Sequence, residues 1–140
     1  MRGCFQLEHF VEAQADVYAD VVEELRSGRK QSHWMWFIFP QMKGLGRSRM
    51  AMLYGIGSLE EATAYLRHPV LGARLRECTE IVDRLEGRTA REIFGTPDDM
   101  KFRSSMTLFA RATEDDTVFR AALEKYFHGK ADPLTDELLR

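Results

Sequence analysis

His33 is a titratable side chain set inside the densest aromatic stretch of the chain, Ser32-His33-Trp34-Met35-Trp36-Phe37-Ile38-Phe39-Pro40. Imidazole suits proton transfer near neutral pH, and between a serine and two tryptophans it is a candidate pocket wall. A buried histidine bonded to backbone or carboxylate explains the same residue. Trp34 and Trp36 are two apart. On a helix they diverge by about 200°, so both cannot face one ligand. Placement of both in the core is the first reading; the other is that one belongs to the core and the other bounds a cleft, where an indole stacks on planar or cationic groups. Gln41 follows, then a small glycine loop to Gly46 with Arg47 just beyond. Such a loop offers backbone N–H groups to an anion, with Lys43 or Arg47 nearby. A plain turn explains it too, and the phosphate-cradling pattern GxxxxGK[ST] is absent. Lys101 and Ser105 are four apart and share a helix side, with Ser104 at three. A lysine beside a hydroxyl is the pattern of a nucleophile pair; small serines between close-packed helices are the alternative. Lys30, beside Arg29, is either a charge partner for a ligand or a solvated charge at a helix end. The candidate set is therefore Lys30, His33, Trp34, Trp36, Gln41, Arg47, Lys101 and Ser105, and no catalytic residue is assigned.

The elements that position these residues read as helices. Apolar residues recur at three- and four-residue steps from Phe10 to Leu25, with a break near Ala15, and Gly28 fits the position after the helix end. The aromatic stretch is dense enough for burial alone to contribute on the order of 10 kcal/mol before opposing terms. It reads as a short helix or irregular piece, since no second strand-like run exists to satisfy a strand's backbone. It is expected to be the hub on which the amphipathic helices dock. Ser48, Ser58 and Thr89 are predicted caps, the last two followed by glutamate three residues on. Pro69 separates two helices. Thr96-Pro97-Asp98-Asp99 predicts a start for the helix carrying Lys101, with Pro97 in its first position. A last helix runs to about Phe127. Residues 130–140 are expected to be a loose tail. The fold expected is all-α: one compact bundle of six to seven antiparallel or orthogonal helices, a single domain over 1–140 with its core at about 7–127.

Bulk properties narrow the function classes. With 140 residues the chain is long enough for one well-buried core. A net charge of -2 lacks the basic footprint of a nucleic-acid binder and gives no reason to expect an anionic membrane as partner. No apolar run approaches a bilayer span and no export signal is seen, so a cytoplasmic location is expected. Cys4 and Cys78 read as free thiols there. Neither they nor the histidines have metal-ligand spacing, so no metal and no cofactor is expected.

The string from Gly28-Arg29-Lys30 through Ser32 to Gln41, then Gly44-Leu45-Gly46, resembles the signature of the DUF1810 (Rv1873-like) family, a bacterial family of unassigned function. Tyr54-Gly55-Ile56, His68-Pro69-Val70-Leu71-Gly72 and Lys101-Phe102 with Ser104 to Phe109 extend the resemblance over roughly residues 7–127. It implies a single all-α domain and no particular chemistry. From the residues, the first expectation is a small-molecule binding domain for an anionic or nucleotide-like ligand, monomeric, with a pocket beside the aromatic segment. Two others stand beside it. One is a hydrolase-type enzyme in the same cleft, using His33 with Asp99 or Lys101 with Ser105. The other is a helical protein-interaction module.

Overall fold

The computed structural model describes residues 5–140; Cys4, expected to be a free thiol, lies outside them. Ten helices follow in order: α1 (Glu8–Ala15), α2 (Tyr18–Arg26), α3 (Met35–Ile38), α4 (Arg49–Leu53), α5 (Leu59–Arg67), α6 (Leu71–Arg84), α7 (Ala90–Phe94), α8 (Asp98–Arg111), α9 (Thr117–Phe127) and α10 (Pro133–Leu138). The fold is all-α. The count exceeds six or seven because α4 forms where a short turn is expected, α10 forms in the expected loose tail, and the first helical stretch is two helices, α1 and α2. The local signals act as their chemistry dictates. Ser48 and Ser58 accept from the third residue of their helices, and Thr89 with Glu92 forms a full capping box. Glu61 departs slightly: its carboxylate accepts from Gly57 N rather than from Ser58. The helix with Lys101 opens at Asp98, one residue later than expected, and Asp99 accepts from Met100 N and Thr96 Oγ1.

The architectural centre is α8 rather than the aromatic segment. Every residue from Ser104 to Ala110 is buried, so this helix is enclosed on all sides. Helices α5, α7, α9 and α10 pack on it, while α6 receives α2, α5 and α9. The aromatic segment is a second pillar: Trp34, Met35, Phe37, Ile38 and Phe39 all belong to the core. Phe39 meets Phe102 of α8 and Phe94 of α7 edge-on, with centroids 5.0 and 5.8 Å apart. The expectation that every helix docks on this segment is thus corrected. A four-residue helix has too little surface to receive nine others, and the fourteen-residue α8 has enough.

Two side chains from distant elements satisfy the polar groups that this segment buries. Glu24 of α2 accepts from the Trp34 indole (2.9 Å), from the backbone N–H of Gln31 (2.7 Å) and Ser32 (3.0 Å), and from the Ser32 hydroxyl. Ser32 therefore does not cap α3; it closes onto Glu24. Gln14 of α1 is fully buried and donates to Phe37 O (2.7 Å) and Tyr65 Oη (3.1 Å), while its carbonyl accepts from Arg74 (3.3 Å). Phe37 O is one of the carbonyls that a short helix leaves without a partner. Partial burial would raise the Glu24 carboxyl, but hydrogen bonds from Ser32, Gln31 and Trp34 outweigh it and hold the pKa below the usual value.

Residues 130–140 are not a loose tail. Asp132 is buried and accepts from Ser104 (2.8 Å) and Thr135 (2.6 Å), and its N–H donates to Thr107. Arg103 donates to the carbonyls of Lys130 and Ala131, and Arg111 makes a two-pronged pair with Asp136 at 2.9 and 3.0 Å. At the other end of the molecule, Lys125 of α9 donates to the carbonyls of Asp83 and Leu85 at the end of α6, and Tyr126 donates to Val82 O. The Asp83 carboxylate is left with one buried oxygen unpartnered. Burial pushes its pKa up to about 7, against the pull of Lys125 and with a small push from Glu80. Burial likewise pushes the Cys78 thiol up to about 12, so this cysteine is a packing residue.

Two outcomes follow. Glu24→Ala strands a buried indole N–H and two backbone donors; it is expected to cost about 2 kcal/mol, read as a lower urea midpoint at unchanged slope. Because the Asp83 pKa is raised in the fold, its protonated form favours the native state. That contribution is present in full below the unfolded pKa of 3.8 and is lost as pH rises through about 7. Melting temperatures of wild type and Asp83→Asn should therefore converge at acid pH, with the variant the more stable above pH 7.

Candidate functional site

The loop after the aromatic segment is folded back on itself. Met42 and Ile56 form an isolated parallel bridge, with Lys43 N donating to Ile56 O and Ile56 N to Gln41 O, both at 2.9 Å. Between the bridged residues the chain makes the turn at Gly44 (φ +102°) and then α4. The crossing is tight. A Cβ at Gly55 would lie 2.4 Å from Lys43 Cγ and 2.8 Å from Ala51 O, so only glycine fits. Two of the loop's N–H groups are consumed internally, Lys43 to Ile56 and Leu45 to Met42. Those two N–H groups are closed to an anion, and Arg47 is exposed and lines no part of the cleft.

This crossing, with α3 and the first turn of α8, encloses a small cleft. Its walls are Met35, Trp36, Phe39, Gln41, Ala51, Tyr54, Gly55 and Lys101, and the enclosed space is about 10 Å³. That is room for one water-sized group. Met35, Phe39 and Ala51 make its lining partly apolar, and the side chains with polar groups in it are Trp36, Gln41, Tyr54 and Lys101. The Lys101 ammonium lies 5.2 Å from the centroid of the Trp36 ring. The Trp36 Nε1–H is shut off from solvent and has no acceptor. A buried N–H without a partner costs free energy and singles out the place for a missing acceptor.

Of the eight candidates, three meet here: Trp36, Gln41 and Lys101. Trp34 is core, 1% exposed, with its indole held by Glu24. The divergence of the two tryptophans around the segment is what separates them. Lys30 sits over the Trp34 ring at 5.2 Å and pairs with Asp98 at 3.0 Å, next to the cleft but not in its wall. His33 is exposed and lines no part of the cleft, because the chain turns inward only at Trp34. Ser105 is fully buried, and its hydroxyl bonds to nothing, Lys101 included. Lys101 instead pairs with Asp98 at 3.4 Å. The Lys101–Ser105 pair is therefore not formed: i,i+4 spacing gave a shared helix face, but one end of that face is at the surface and the other in the core. Among the described residues no group of three His, Cys, Asp or Glu side chains is placed to hold a metal ion.

Three contributors carried no signal of their own. Tyr54 and Gly55 read as the end of a short turn begun at Ser48, and only the bridge brings them to the tryptophan. Asp98 read as one of two acids at a helix start. Its role as partner of two lysines depends on Lys30 arriving from the far end of α2, where Lys30 N donates to Ile93 O at 2.7 Å.

Comparison with known proteins agrees with this architecture. No curated protein matches the chain. The crystal structure titled as that of the conserved hypothetical protein Rv1873 from Mycobacterium tuberculosis superposes with a TM-score of 0.96 at 60% identity, covering 96% of each chain. The family described as "Protein of unknown function (DUF1810)" matches residues 4–139. Nearly the whole chain is thus accounted for by one all-α family, and the protein belongs to DUF1810.

Proposed function

We propose that this protein is a small-molecule binding domain whose cleft at Trp36, Gln41, Tyr54 and Lys101 receives an anionic group. The observation that carries the reading is the buried, unpartnered Trp36 indole N–H beside the Lys101 ammonium. Both are donors on residues that line one partly apolar cleft, a combination that suits an anionic oxygen. Volume decides what enters. About 10 Å³ admits a terminal group and excludes a nucleobase or sugar, so the body of the ligand lies outside the cleft.

A second reading, a surface for another protein, has its own support. Leu134 and Leu138 of α10 are 60% and 43% exposed, and with Gly44, Leu45 and Glu137 they line a shallow groove of about 290 Å³. Sedimentation of the purified protein with and without Leu138→Lys separates self-association through this groove from a monomer.

The two tryptophans supply a direct test of the first reading, because each gives one indole N–H signal in a ¹H–¹⁵N spectrum. Titration with acetate, chloride or sulfate is expected to move the Trp36 signal saturably while that of Trp34, already bonded to Glu24, stays. Lys101→Met is expected to weaken the effect about tenfold, the loss of one charge-assisted hydrogen bond. If no anion moves the Trp36 signal, or both signals drift together without saturation, the cleft is not a binding site.

A further inference from the structure

The cleft carries a charge device that its lining alone does not reveal. Asp98 is shared by two ammonium groups: Lys30 Nζ at 3.0 Å from one carboxylate oxygen and Lys101 Nζ at 3.4 Å from the other. Each lysine also lies over a tryptophan, Lys30 over Trp34 and Lys101 over Trp36, at 5.2 Å in both cases. The group is partly withdrawn from water, with side-chain exposures of 9% for Lys30, 20% for Asp98 and 26% for Lys101. Two positive charges face one negative charge, so the cluster keeps a single positive charge. Asp99, the next residue, pairs with neither lysine and stands outside the cluster: its carboxylate oxygen accepts from Met100 N and Thr96 Oγ1.

On the reading that the cleft binds an anionic group, we propose that Asp98 is its built-in counter-anion and fixes the ligand's end group as a carboxylate. Asp98 neutralises one of the two ammonium charges, and the charge that remains balances a monoanion. A phosphate or sulfate dianion would leave one negative charge uncompensated in a partly desolvated site and facing Asp98, which is unfavourable. A carboxylate also has the right number of acceptors: one oxygen takes the Trp36 indole N–H in the single-group space, and the other meets Lys101 at its edge. Lys30 acts at a distance as a positioning residue. It holds Asp98 back from Lys101 without lining the cleft.

The test compares acetate, chloride and sulfate at constant ionic strength, read on the Trp36 indole signal in wild type, Asp98→Asn and Lys30→Met. Wild type is expected to bind acetate at least about tenfold more tightly than sulfate, and more tightly than chloride, which lacks the second oxygen. Asp98→Asn releases both lysines and is expected to gain about tenfold or more for sulfate, erasing or reversing the preference. Lys30→Met lets Asp98 neutralise Lys101 fully, so acetate should weaken about tenfold although no wall residue has changed. Wild type binding sulfate or chloride as tightly as acetate overturns the proposal, as does an unchanged preference in Asp98→Asn. Circular dichroism checks that Asp98→Asn is folded; if it is not, Lys30→Met decides, and undiminished acetate binding there overturns the proposal. Silence of the Trp36 signal toward all three anions in every variant is a different result: it removes the binding site itself.

Discussion

A run of large apolar side chains can be buried only together with its own backbone and indole polar atoms, and those need partners. The segment from Trp34 to Phe39 meets much of this constraint with help from two side chains well before it in the chain, and leaves the Trp36 indole N–H without an acceptor. Glu24 takes the Trp34 indole and the two N–H groups that lead into the segment, and Gln14 takes the carbonyl that leads out of it. Without them the segment would bury several unsatisfied donors and acceptors, each costing free energy comparable to a large fraction of a domain's net stability. With them, a four-residue helix becomes a fixed wall. Once that wall is fixed, Phe39 stacks on α7 and α8, Trp36 faces the crossing loop, and the cleft exists.

The two clamps are themselves tied to the rest of the bundle. Gln14 bonds to Tyr65 of α5 and to Arg74 of α6, and Arg74 lies over the Tyr18 ring of α2 at 4.6 Å. Tyr18 in turn donates to Glu77, and burial together with that bond raises its pKa far above the usual tyrosine value. This polar seam runs between α1, α2, α5 and α6 and connects the aromatic wall to those helices. Buried networks of this kind favour one arrangement over its near neighbours only when every member is satisfied, and in Gln14 both ends of the amide are.

Much of the fold was legible in the sequence because its signals are local. Periodicity found the long helices, and capping residues found most of their starts. Where reading failed, the cause was non-local or was a local signal passed over. Asp132-Pro133 is a helix start of the same kind as Thr96-Pro97-Asp98, yet the proximity of the terminus suggested looseness; the decisive contact, Ser104 and Thr107 holding Asp132, spans more than two dozen residues. Gln14 stood at a core position of an apolar stripe, and a glutamine there is itself a sign of a buried bond. In the cleft, Trp36, Gln41 and Lys101 were reachable from the sequence because the first lies in the aromatic run, the second just follows it and the third is in the first turn of the helix on which that run packs. His33 and Arg47 share those neighbourhoods but face outward, and sequence distance carries no such direction. Asp98 was invisible as a partner until Lys30 was placed beside it.

The central claim is that the aromatic segment is as firmly held as the centre of α8, through Glu24 and Gln14. Native-state amide hydrogen exchange addresses this directly, because the N–H groups of Phe37, Ile38 and Phe39 are bonded within and around α3. The account predicts that they exchange only by global unfolding, with the same free energy and denaturant dependence as the buried amides of α8. Exchange of these three amides through a local opening, well below the global free energy, would contradict it.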